Sequence, residues 1–137
     1  MAEEKDCVFC KIVKGEIPCE KIYEDEDVLV FLDAFPFMKG QTLIIPKQHL
    51  APWLFGLNEE IYTKLMLIAK RIAKAMDESF DCAKVGMMVE GLEVDHVHIK
   101  MFPLGERGFK ESRKILDPLP SKEEMKEISE KIRENLR

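Results

Sequence analysis

Apolar positions recur along this chain with two periods, and the change of period marks out its elements. Val8, Phe9, Ile12 and Val13 are spaced like one side of a short helix, which Gly15 and Pro18 stop. "KIYED" (21–25) and "VLVFLD" (28–33) are rich in β-branched and aromatic residues and flank the polar turn "EDED", so they predict a hairpin of two strands. "AFPFMKGQ" (34–41) reads as a loop, and "TLIIP" (42–46) as a third strand ended by Pro46. Asn58, followed by Glu59 and Glu60, is a helix start: a cap, then acids that suit the helix dipole. Ile61, Leu65, Ile68, Ile72 and Met76 carry that helix to about Phe80.

"KVGMMVE" (84–90) predicts a fourth strand, ended by Gly91, and "VDHVHIKMF" (94–102) a fifth, stopped by Pro103. Residues 104–120 hold repeated Pro and Gly breaks and read as an extended loop. Ser121 and Glu124 form a capping box, and Met125, Ile128, Ile132 and Leu136 give the closing helix an apolar face. The chain has no internal repeat and no low-complexity stretch. Short, hairpin-like connections favour an antiparallel sheet over βαβ units, so the class is α+β.

Composition narrows the function. The 137 residues suit one domain, and 46% hydrophobic residues are enough for a real core. A net charge of −5 argues against a nucleic-acid binder held by simple electrostatics. Lys110, Arg113 and Lys114 lie close together, but Glu111 interrupts them and a solvated face accounts for them. No stretch is long and apolar enough to span a membrane, and "MAEEKD" lacks the apolar run of a secretory signal. A cytoplasmic location is expected, where thiols stay reduced. The four cysteines therefore suggest metal ligands or buried thiols before disulfides.

The chain has three histidines, and two stand in "VDHVHIKMF". In a strand, Val97, Ile99 and Met101 face the core, and His96, His98 and Lys100 face the other way, about 6.5–7 Å apart. Such a row suits a phosphate: a neutral imidazole can attack phosphorus while a neighbouring ammonium offsets the growing charge. Two other readings stand beside this one: an ordinary half-exposed strand, and a metal site built on His-x-His. Cys7 and Cys10 form C-x-x-C, whose spacing lets two thiolates share one metal. His49, with His96 or His98, would complete a closed and therefore structural Cys2His2 zinc site. The alternative is a pair of partly buried thiols at a helix start. Cys19 and Cys82 lack partner spacing and are expected to be packed.

"CVFCKIVKGEIP", "YEDEDVLVFLDAFPFMKGQTLIIPKQH" and "DHVHIKMFP" together resemble the histidine triad (HIT) family, in its branch of small nucleotide hydrolases and transferases. The match runs from about Cys7 to Pro103, with the motifs in order. The resemblance implies a single HIT-like α+β domain over 1–137: a five-stranded antiparallel sheet, one long helix, a short N-terminal helix and a C-terminal helix. It treats 7–103 as core and 104–137 as a C-terminal loop and helix, and it implies a homodimer. The family signature alternates three histidines with apolar residues. Here it reads His96-Val97-His98-Ile99-Lys100-Met101-Phe102.

The resemblance makes His98 the nucleophile that attacks the α-phosphorus of a nucleotide ester, anhydride or phosphoramidate, with His96 beside it and Lys100 near the leaving group. It implies a purine nucleotide bound by Val8, Phe9, Ile12, Phe31 and Leu43, with Asp33 on the ribose hydroxyls and Gln41 among the substrate-binding residues through polar contacts. It assigns structural Zn2+ to Cys7, Cys10, His49 and His96. Three departures bear on turnover. Lys100 replaces the third histidine, Gln41 replaces the histidine of a Gly-His-Thr loop, and "VEGLEVDH" is shorter than the usual phosphate-holding segment, with Val89 in place of an asparagine. Two functions follow: a hydrolase or nucleotidyltransferase using His98, or a zinc-stapled nucleotide-binding or interaction module with little turnover.

Overall fold

A computed structural model describes residues 4–137. The reading of the first three residues as part of an unsignalled N-terminus lies outside the described residues. Helix α1 (Val8–Val13) opens the fold, and Cys7 caps it by accepting the Cys10 N–H on its sulfur. Strands β1 (Lys21–Glu24), β2 (Val28–Leu32) and β3 (Thr42–Pro46) follow as expected. Helix α2 spans Glu59–Ser79 and is capped by Asn58, whose side chain accepts the Ile61 N–H. Strands β4 (Lys84–Met88) and β5 (Ile99–Leu104) come next, and helix α3 (Lys122–Asn135) closes the chain behind the Ser121–Glu124 capping box. Short 3-10 turns at Glu4–Asp6, Leu54–Gly56 and Gly108–Lys110 were not predicted.

The five strands form one antiparallel sheet in the order β1-β2-β3-β5-β4. Every residue of β2 and β3 is buried, because both faces of the central sheet are covered. The period-two alternation decides which face each residue serves. Val28, Val30, Leu32 and Ile44 join Val97, Ile99 and Met101 in a core with Leu65, Ile72 and Met76 of α2 and Ile132 of α3. Leu29, Phe31, Leu43 and Ile45 face the other way and pack with Cys7, Phe9 and Cys10 around α1. Thus one face builds the hydrophobic core, and the other is left for the site.

The fifth strand differs from the expectation in both directions. It starts at Ile99 instead of Val94, and it runs through Pro103 to Leu104. The β3–β5 ladder stops at the Ile44–Ile99 pair, and Pro46, two positions further along β3, has no N–H to give. The carbonyl of Pro46 is instead bonded by the ring of His96, 2.9 Å away. Pro103 is tolerated because it pairs only with Val85 of β4, while β3 pairs with β5 no further than Met101. Likewise β4 ends at Met88, before the predicted Glu90.

Candidate active site and metal centre

Cys7 and Cys10 sit at the start of α1, one turn apart, with His49 after β3 and His96 before β5 closing on them. The Nδ1 of His96 lies 3.3 Å from Cys7 Sγ and 3.5 Å from Cys10 Sγ, and the Nδ1 of His49 lies 3.3 Å from Cys10 Sγ. All four ligand atoms fall within 4.8 Å of one another, and the group is buried except for a half-buried His49. A tetrahedral zinc site with ordinary bond lengths has sulfur–nitrogen edges of about 3.5 Å. The spacing fits that figure. The His96 ring is also oriented for the role: its Nε2–H donates to the Pro46 carbonyl, which leaves the Nδ1 lone pair facing the thiols. These four residues could hold a metal, and the soft thiolate and imidazole donor set suits Zn2+.

Phe9 separates this cluster from a cavity of about 740 Å³. Its ring lies edge-on to His96 at 5.7 Å, to His98 at 5.2 Å and to Phe31 at 6.0 Å. The cavity is lined by Val8, Phe9, Ile12, Phe31, Asp33, Gln41, Leu43, His98 and Lys100, which brings together all the residues expected to bind or process a substrate except His96. His96 turns toward the cysteines, so its side chain joins the Cys7–Cys10–His49 cluster and not the cavity. The expected single row of three side chains is broken at this point because residues 94–98 are not in a regular strand. Phe31, Leu43 and Lys100 stand opposite one another on β2, β3 and β5, and they form the cavity floor.

His98 is buried, and its Nδ1 lies 2.8 Å from the backbone oxygen of His96. A carbonyl only accepts, so Nδ1 carries the proton and Nε2 keeps a free lone pair. Burial holds the His98 pKa below its ordinary value, opposed by the bond to His96; the Lys100 charge lowers it further, and Glu93 and Asp33 act upward. The ring is therefore a neutral imidazole at neutral pH, the form a nucleophile needs.

Gln41 is 1% exposed and fully bonded. Its Oε1 accepts the Phe37 N–H at 2.6 Å, and its Nε2 donates to Asp33 Oδ2 at 2.7 Å. Asp33 Oδ1 accepts the Phe35 N–H at 2.9 Å. The carboxylate is thus fixed in place while each oxygen keeps room for another donor. Gln41, expected to bind substrate through polar contacts, works here as the bracket that aims Asp33.

Several cavity residues escaped the sequence reading. Ile115, Leu119 and Pro120 of the predicted loop, with Met125 of α3, form one wall. The loop is tied to residues 34–41 by the Leu116 N–H on the Pro36 carbonyl at 2.8 Å, and α3 by a 2.6 Å ion pair between Lys39 and Glu124. Apolar residues in a Pro-rich stretch were the available signal. Glu93 also lines the cavity, and its carboxylate lies 3.0 Å from Lys100 Nζ. Cys19, expected to be merely packed, lines the cavity too; burial pushes its thiol pKa up, against the pull of Lys21, so it stays protonated. Cys82 lies at the surface end of α2 beside Asp77.

Comparison with known proteins agrees with this geometry. The family profile described as "HIT domain" matches residues 14–106. The adenosine 5'-monophosphoramidase HNT1 of Saccharomyces cerevisiae is 43% identical over 98 residues, 71% of this chain and 61% of that protein. The chain thus spans less than two thirds of that relative. A Hit-like protein of Bartonella henselae superimposes with a TM-score of 0.83 at 28% identity, over 99% of this chain and 100% of the other. A Zn-bound histidine triad family protein of Mycobacterium smegmatis gives a TM-score of 0.79 at 30% identity, over 97% and 94%.

Proposed function

The chain belongs to the HIT domain family, and on that premise we propose that it is a nucleotide hydrolase or nucleotidyltransferase working through His98. The observation that carries this reading is the His98 hydrogen bond to the His96 carbonyl, which sets the tautomer and leaves Nε2 as a free nucleophile beside the cavity. In the reaction, Nε2 forms a bond to the α-phosphorus of a nucleotide ester, anhydride or phosphoramidate. The bond to the leaving group breaks, and its electron pair departs with that group. Water then attacks the nucleotidyl-histidine, releases the nucleoside monophosphate and frees the imidazole. Two easier displacements replace one difficult step.

The walls supply the binding. Val8, Phe9, Ile12, Phe31 and Leu43 offer apolar surface to a purine base, and Asp33 accepts hydrogen bonds from the ribose hydroxyls. Lys100 offsets charge on the phosphoryl oxygens. Cys7, Cys10, His49 and His96 would hold a structural Zn2+, which would cross-link α1 to the entry of β5. Four protein ligands would give such an ion a structural role, and the residues of the cavity would carry the reaction. A purine nucleotide fits the yeast relative, which is an adenosine 5'-monophosphoramidase.

One observation favours a second reading, a zinc-stapled nucleotide-binding module with little turnover: Lys100 stands at the third triad position and is paired with Glu93. A single experiment separates the two. The protein is incubated with an adenosine phosphoramidate, quenched in mild base and measured by intact mass. An adenylyl adduct on the wild type, lost in His98→Ala, is the expected result. No adduct and no release of monophosphate would overturn the enzyme reading.

A further inference from the structure

We infer that Glu93 selects the leaving group by acting through Lys100, admitting neutral or cationic amines and discriminating against anionic groups such as sulfate or phosphate. The inference rests on the proposed role of His98. Lys100 is 9% exposed, with Phe37 under its ammonium at 5.8 Å from the ring centroid. A charge so placed needs a partner, and Glu93 supplies it at 3.0 Å. The pair is neutral overall, as a neutral histidine at the third position would be. The replacement of that histidine is therefore not a simple gain of positive charge: it brings a carboxylate into the cavity with it.

The position of Glu93 is set by the backbone. Gly91 has φ +72°, and a Cβ there would lie 1.9 Å from the Pro52 carbonyl oxygen, so the connection between β4 and β5 is held tightly against residue 52. Glu93 follows two residues later and lines the same cavity as His98 and Lys100. Lys100 gives one N–H to Glu93 and keeps two for a phosphoryl oxygen and the leaving atom. A leaving group bearing negative charge meets the Glu93 carboxylate as it approaches that ammonium. An amine meets an acceptor instead. As the phosphorus–nitrogen bond breaks, the amine nitrogen keeps the electron pair and takes a proton from Lys100, which regains one from water. The carboxylate then holds the departing amine by hydrogen bond or charge.

The test compares kcat/KM for two substrates that share the adenosine monophosphate half. One is a phosphoramidate of a diamine, whose free end is an ammonium; the other is adenylyl sulfate. Glu93→Gln keeps the shape and removes the charge. It should shift the ratio by about tenfold toward the sulfate, the size of one modest charge–charge contact. An unchanged ratio, with the His98 adduct still forming, overturns the role of Glu93 and leaves the proposed function standing. Absence of the adduct with both substrates overturns the function itself, and this inference with it. A second measurement needs no variant. Glu93 has 68% of its side chain exposed, so salt should screen its field and move the wild-type ratio toward the sulfate. A ratio that does not change from low to high salt overturns the inference.

Discussion

The Nδ1 of His98 lies 2.8 Å from the backbone oxygen of His96. The two residues are neighbours but one, yet their rings serve different sites. His96 turns its Nδ1 to Cys7 and Cys10, and His98 joins the cavity lining. One peptide oxygen therefore couples the candidate metal cluster to the proposed nucleophile. Disturbing either side of that link should be felt on the other.

Metal removal is the direct check. Elemental analysis should find one zinc per chain in protein purified without chelator. Stripping the metal should lower the thermal midpoint by about 10 °C or more, as expected for losing roughly 3 kcal/mol in a domain of this size. Turnover should fall with it, through kcat more than KM, because the acceptor that orients His98 loosens. Cys10→Ser should repeat both effects in calorimetry and steady-state kinetics.

Gln41→Ala should act as a binding mutation with a stability cost. It leaves the part-buried Phe37 N–H and one oxygen of Asp33 without the partner they now share. Losing part-buried hydrogen bonds of this kind costs about 1–2 kcal/mol. Denaturant melts should show that loss, and kinetics should show KM rising more than kcat falls, since Asp33 is misdirected while His98 is untouched.

Leu119 tests the wall that the C-terminal segment adds. It is 43% exposed, so Leu119→Ala should leave stability nearly unchanged, within about 0.5 kcal/mol. Affinity for adenosine monophosphate, read by titration calorimetry, should fall by about threefold to tenfold as apolar contact is lost. Equal affinity in the two proteins would place the ligand away from this wall.

Acid stability should depend on Asp25. Burial alone would raise its pKa, but bonds from the Tyr23 hydroxyl, the Asp27 and Val28 N–H groups and Lys64 outweigh it and hold the carboxyl at about 2. The folded pKa lies below the unfolded one, so the unfolded chain takes up the proton first as pH falls. The stabilisation is present above about pH 4 and is lost between about pH 4 and 2. Asp25→Asn should remove on the order of 1–2 kcal/mol at neutral pH and flatten that part of the stability–pH curve.

Much of the fold is legible in the sequence because its rules are local. The caps at Asn58 and Ser121 satisfy helix N–H groups within one turn, so they mark their helices without reference to the rest of the chain. The short apolar, β-branched runs through 28–32 and 42–46 likewise mark two strands. The C-x-x-C spacing of Cys7 and Cys10 marks a candidate ligand pair. What no local rule contains is the meeting of distant segments. His96 turns to the cysteines with its ring held by the carbonyl of Pro46, fifty residues earlier at the end of β3, and His98 lines the cavity. Glu93 reaches Lys100, Gln41 brackets Asp33, and Leu119 closes a wall only once the sheet order and the return of α3 are set. The sequence determined the elements and the donor atoms, through short-range periodicity and capping. Their division between a metal cluster and a cavity was decided by the tertiary structure, since burial and long-range pairing are properties of the whole packed chain.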